Sequence, residues 1–101
     1  MRLDLATWLE VEAHLKTSGG IIIPTGSTEQ HGPMGLIGTD AICAAKIGEG
    51  AAEQAGTLVA PTLAYTPAPF NMTFPGTVSV SPALFEALVI EIVQGLESQG
   101  F

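Results

Sequence analysis

A carboxylate, an imidazole and a second carboxylate stand close together in the segment from Glu29 through His31 to Asp40. Glu29 and His31 are two positions apart, so in an extended backbone their side chains leave on the same face and converge on one point or on two adjacent points. Between His31 and Asp40 the chain carries Gly32, Pro33, Gly35 and Gly38, the punctuation of a compact loop that folds back and returns Asp40 to that point. Carboxylate and neutral imidazole ligands together suit zinc, iron or manganese better than calcium. Glu29, His31 and Asp40 are therefore the candidate metal ligands, and residue type and spacing assign no further catalytic group.

The elements that must hold these residues are legible on either side. Ile21, Ile22 and Ile23 form a β-branched run without polar alternation, which reads as a strand buried on both faces of a parallel sheet, closed by Pro24 and Gly26. From Thr39 or Asp40 to about Gly56 a helical pattern follows, weakened at Gly48 and Gly50 by about 1 kcal/mol each. Asp40 in its first turn gains about 0.3 to 1 kcal/mol from the helix dipole. Upstream, Thr7-Trp8-Leu9-Glu10 has the spacing of a capping box and predicts a helix over about 8–17. Its apolar side is Trp8, Leu9, Val11 and Leu15, with Glu12 and Lys16 paired opposite.

Downstream, Thr57 to Ala60 predicts a short strand stopped by Pro61. Residues 61–77 are too rich in Pro, Thr and aromatics for regular structure, and a loop of that length in a compact domain is a candidate roof for a site. Ser81-Pro82 starts a last helix that runs to Gln99, with Leu84, Leu88, Ile92 and Leu96 on one stripe. Helix, strand, helix, strand, loop, helix predicts parallel strands with helices on the faces. In such sheets ligands gather beyond the C-terminal strand ends, where both unusual loops leave.

The chain has 101 residues, so it is one domain at most. Ten acidic residues against three basic ones give a net charge of −7, with no electrostatic footprint for nucleic acid or anionic lipid. No apolar run approaches the roughly 20 residues of a membrane span, and the first residues lack the layout of a signal peptide. The single cysteine, Cys43, lies among helix formers and reads as a buried structural thiol of a reducing compartment, so a cytoplasmic protein is expected. His14 reads as an ordinary helical residue. Tyr65, Phe70 and Phe74 read as packing anchors of their loop. Ser27 and Thr28 beside Gly26 lack the glycine spacing and trailing lysine of a phosphate-binding loop.

The segment G-S-T-E-Q-H-G-P at Gly26 to Pro33, the aspartate after G-T, and F-P-G-T at Phe74 to Thr77 resemble the creatininase (creatinine amidohydrolase) family. The resemblance extends over the chain through W-L-E-V-E at Trp8 to Glu12, I-I-I-P-T-G at Ile21 to Gly26 and the closing Q-G-F. It implies an α/β fold, a three-layer α/β/α sandwich with a mostly parallel sheet, of which residues 1–101 would be the N-terminal portion, a single domain truncated at its C-terminus. It further implies a metal-dependent amidohydrolase that cleaves a cyclic or linear C–N amide bond of a small molecule, other than a peptide bond, with a metal-activated water. Two divalent metals (zinc, manganese or iron) would occupy the complete site, Glu29 on one, His31 on the other and Asp40 bridging, in a homo-oligomer, commonly a hexamer.

Departures from the family pattern accompany the match. Met34 stands where a His is common, and Asn71, Met72 and Thr73 stand where a His often precedes F-P-G-T, which implies a substrate other than creatinine. The N-G-H-G-G-N-like loop and a later Glu, which supply further ligands in the family, lie outside these residues. The isolated chain is accordingly expected to bind metal weakly and to hydrolyse little. The competing reading is a non-catalytic fragment or degenerate relative that assembles through exposed apolar helix and strand edges.

Overall fold

A computed structural model describes residues 1–101. After a short 3-10 turn at Leu3–Leu5, helix α1 covers Trp8–Leu15. The capping box forms in both directions: Glu10 Oε2 accepts from the Thr7 amide at 2.7 Å, and Thr7 Oγ1 accepts from the Glu10 amide at 3.4 Å. Such a cap contributes about 1 kcal/mol. The helix stops before position 17 because the Thr17 amide and hydroxyl both turn back onto the His14 carbonyl, each at 2.9 Å, a local bond that competes with helix continuation. The expected Glu12–Lys16 pair does not form; the ion pairs are Arg2–Asp4, Arg2–Glu49 and Lys46–Glu49, and His31 pairs with Asp40 only when its ring is protonated.

Strands β1 (Ile21–Ile22) and β2 (Leu58–Val59) pair in parallel, Ile21 opposite Leu58 and Ile22 opposite Val59. Helix α2 (Thr39–Ala55) connects them, and Gly56 ends it in the left-handed conformation at φ 63°. These three elements make the packed centre: Gly48 and Ala52 of α2 and both residues of β2 are buried. Gly48 is a packing choice as well as a weak helix former, since a Cβ there would sit 2.9 Å from Pro24 Cγ and 3.4 Å from Val59 Cγ2. The parallel pairing continues irregularly past β1 through Thr25 opposite Leu63, and Thr28 then meets Val78 in antiparallel sense.

Three expectations about burial are corrected. Ile21 to Ile23 are only half-buried, because β1 has a single strand partner. Cys43 is exposed, as α2 turns its opposite face, Gly48 and Ala52, to the sheet. Helix α3 (Pro82–Glu97) begins as its sequence predicts, with the Leu84 amide donating to Ser81 Oγ at 3.2 Å and Pro82 in the first turn, yet none of its residues is buried. Leu84 is 59% exposed, and Leu88, Ile90 and Val93 are likewise uncovered. The radius of gyration is 15.3 Å, against about 13 Å for a compact chain of this length, so the elements are spread rather than closed over one core. No helix is long and apolar enough to cross a membrane.

Candidate metal centre

The chain leaves β1 through buried Pro24 and passes Ser27, Glu29 and His31 with bridges to neighbouring segments at Thr25 and Thr28. Backbone bonds hold it in place: the Gly26 amide donates to the Leu63 carbonyl at 3.1 Å, the Val78 amide to the Thr28 carbonyl at 2.9 Å, and the Glu29 amide to the Ile37 carbonyl at 3.0 Å. The first turn of α2 then lies against Gly26. A Cβ at that position would overlap the Asp40 carbonyl and stand 2.6 Å from the Ala41 amide nitrogen. Only glycine lets Asp40 come so close to the strand end.

Glu29, His31 and Asp40 are brought together, with Ser27 among them. Ser27 Oγ lies 2.6 Å from Glu29 Oε1 and 2.6 Å from Asp40 Oδ2. A hydroxyl carries one hydrogen and can donate to one of those oxygens at a time. The second contact places oxygen lone pairs against each other unless a proton or a cation intervenes. His31 Nδ1 faces the Glu29 carbonyl at 3.1 Å; a carbonyl only accepts, so Nδ1 carries the hydrogen and Nε2 of the neutral ring presents its lone pair. That Nε2 is 3.4 Å from Asp40 Oδ1.

The electrostatics follow the same contacts. The Ser27 hydroxyl, then Glu29 and His31, hold the Asp40 carboxyl below its ordinary value, with partial burial opposing them. The His31 imidazole is raised, first by the Glu29 carbonyl and then by the charges of Asp40 and Glu29, against partial desolvation. Asp40 also sits in the first turn of α2, where a negative charge is favoured.

This donor set fits a divalent metal in one particular way. No group of three or more His, Cys, Asp or Glu side chains is placed to hold a single ion. Two carboxylates whose shared hydroxyl cannot satisfy both, with an imidazole beside one of them, are donors of the types that divalent metals take.

Two residues at this centre escaped the sequence reading. Ser27 lies two positions before Glu29, and the same alternation that pairs Glu29 with His31 should have placed it on that face. Asn71 belongs to a 3-10 turn at Pro69–Asn71, and its Nδ2 donates to Glu29 Oε2 at 2.5 Å. Nothing in a sequence separation of 42 residues signals that contact. The 61–77 segment thus reaches the site through an amide, while Phe70 points away and is 93% exposed.

The creatininase family, described as creatinine amidohydrolase, matches residues 4–101. Mycofactocin precursor peptide peptidase of Mycolicibacterium smegmatis is 40% identical over a 77-residue alignment that covers 70% of this chain and 31% of that protein. The 3-dehydro-scyllo-inosose hydrolase of Thermotoga maritima is 33% identical over 96 residues, 94% of this chain and 31% of that protein. The chain therefore spans less than a third of the length of these curated relatives. The crystal structure of a creatinine amidohydrolase superposes with a TM-score of 0.90 at 28% identity, over 98% of this chain and 40% of that one. Similar creatininase structures include a manganese form and a mutant of Zn-Zn type.

Proposed function

The chain belongs to the creatininase family, and from that premise we propose that it carries the N-terminal half of a two-metal hydrolase site that cleaves a C–N amide bond. Glu29 would hold one divalent ion, His31 the other, and Asp40 both. The observation that supports this most is the Ser27 hydroxyl caught between two carboxylate oxygens at 2.6 Å, an arrangement that a cation relieves. Bound there, zinc or manganese would supply Lewis acidity and lower the pKa of a water toward neutrality.

The chain's own residues do the positioning. The Glu29 carbonyl fixes the His31 tautomer through Nδ1 and leaves Nε2 free for the metal, the usual way an imidazole ligand is oriented. Ser27 and the start of α2 hold Asp40 ionised and aimed at both partners. Loops 29–38 and 61–77 form the near wall of the site, and the remaining ligands and the proton donor for the leaving nitrogen would come from residues beyond these.

The substrate class that fits is a cyclic or linear amide. The relative named as a peptidase makes a short peptide a necessary competitor in any assay against a non-peptide amide. A homo-oligomer fits the uncovered apolar residues of α3, whose burial would stabilise the assembly. The decisive experiment on this chain is a thermal shift with added zinc or manganese, in the wild type and in His31→Ala. Stabilisation by metal in the first and its loss in the second is expected; equal responses would reject the ligand assignment.

A further inference from the structure

A chain of amide groups runs from Gly32 through Gln30 to Asn71 of the second loop and back into Glu29. The Gly32 amide donates to Gln30 Oε1 at 2.8 Å, which orients the Gln30 side chain. Gln30 Nε2 then donates to Asn71 Oδ1 at 2.7 Å. With its oxygen engaged, the Asn71 amide has one orientation left: Nδ2 turns to Glu29 Oε2. Gln30 is anchored through its backbone as well, since its amide donates to Thr77 Oγ1 at 3.1 Å and Thr77 is buried. Each amide oxygen in this relay accepts from a nitrogen and each side-chain nitrogen donates one of its two hydrogens to an oxygen, so reversing either amide would set like groups against each other.

Glu29 is consequently held by its two oxygens in different ways. Oε1 meets Ser27, which also contacts Asp40, and Oε2 meets Asn71. We propose that Asn71, itself oriented by Gln30, is the positioning residue that sets the rotation of the Glu29 carboxylate and so presents Oε1 toward the side shared with Asp40. The proposal rests on the reading of Glu29 as a metal ligand. A carboxylate free to rotate loses ligand geometry, and removing an outer hydrogen-bond partner of a metal ligand typically weakens metal affinity about 10- to 100-fold. The relay also explains how a segment whose aromatics project into solvent contributes to the site, through an asparagine that donates a hydrogen bond and adds no charge.

The test is a manganese titration of the 101-residue chain, read by electron paramagnetic resonance, with the melting temperature of the metal-free form measured beside it. Asn71→Leu keeps the size and removes the donor; it is expected to lower manganese affinity at least about tenfold while the metal-free melting temperature stays near that of the wild type. Glu29→Ala tests the underlying reading separately. If Glu29→Ala binds manganese as the wild type does, Glu29 is no ligand and the proposal falls with that reading. If Glu29→Ala loses binding and Asn71→Leu does not, the ligand stands and the positioning role is overturned.

Should Asn71→Leu unfold, the wild type still decides by NMR with zinc. The Asn71 side-chain amide signals are expected to move over the same zinc range as those of Glu29. Asn71 signals that stay still while Glu29 shifts would overturn the proposal.

Discussion

The corner where β1 meets the first turn of α2 and the flank formed by α1 and α3 are built on opposite terms. At the corner, few side chains are apolar, but nearly every polar atom has a partner, and the partners come from far along the chain: Ser27 with Asp40, Thr28 with Ala64, Gln30 and Glu29 with Asn71. On the flank the side chains are strongly apolar and mostly uncovered, with Trp8 73% exposed. Apolar pattern alone thus says which face of a helix seeks cover, whereas the cover itself depends on what else is present to pack there. The polar corner takes its geometry from close backbone contact at Gly26 and from directional bonds between segments distant in sequence.

The largest effect belongs beneath the corner, where Leu58 is fully buried: Leu58→Ala is expected to cost about 3 kcal/mol in chemical denaturation. Gly26→Ala should cost about 2 kcal/mol, because the new methyl group has nowhere to go against the backbone of Asp40 and Ala41. It should also weaken metal binding, by pushing the start of α2 away from Glu29.

The pH response of metal binding comes next. Asp40 is depressed and stays ionised well into the acid range, whereas His31 is raised and must shed a proton before Nε2 can coordinate. Affinity should climb by up to about tenfold per pH unit up to the raised His31 value and then level off, and His31→Ala should flatten that slope. The sign for stability of the metal-free chain is opposite: the contribution of His31 is full below its unfolded value and fades as pH rises through the folded one.

Smaller effects follow. Ser27→Ala removes the hydrogen bond that depresses Asp40, at a cost of about 1 kcal/mol near neutral pH. Because a depressed carboxyl contributes only above its unfolded value, the difference between Ser27→Ala and wild type should shrink as pH falls through the folded value of Asp40. Smallest of all, Leu84→Gln on the uncovered flank should change unfolding free energy by less than about 0.5 kcal/mol. A large loss there would mean that α3 is packed after all.

The sequence was informative where a rule is local. Thr7 with Glu10, and Ser81 with Pro82, announce helix starts through bonds three residues long, and both helices begin there. Glu29, His31 and Asp40 could be grouped because strand alternation and a glycine-rich return loop are short-range geometry. Ser27 obeys the same alternation, but its contact with both carboxylates forms only where α2 returns Asp40 beside it. Asn71 was beyond reach: its contact with Glu29 depends on how residues 61–77 fold over the strand end. Cys43 and the triple isoleucine misled for a shared reason. Apolar character at a position reports a preference for burial, and the preference is met only where a neighbour such as Val59 or Pro24 is present.

In the proposed site Asp40 would stand between two cation positions. Calorimetric titration of zinc into the wild type, Glu29→Ala, His31→Ala and Asp40→Asn tests it most directly. Binding in the wild type, partial weakening in the first two variants and loss in Asp40→Asn is the predicted order. Zinc bound by Asp40→Asn with the affinity of the wild type would contradict the account.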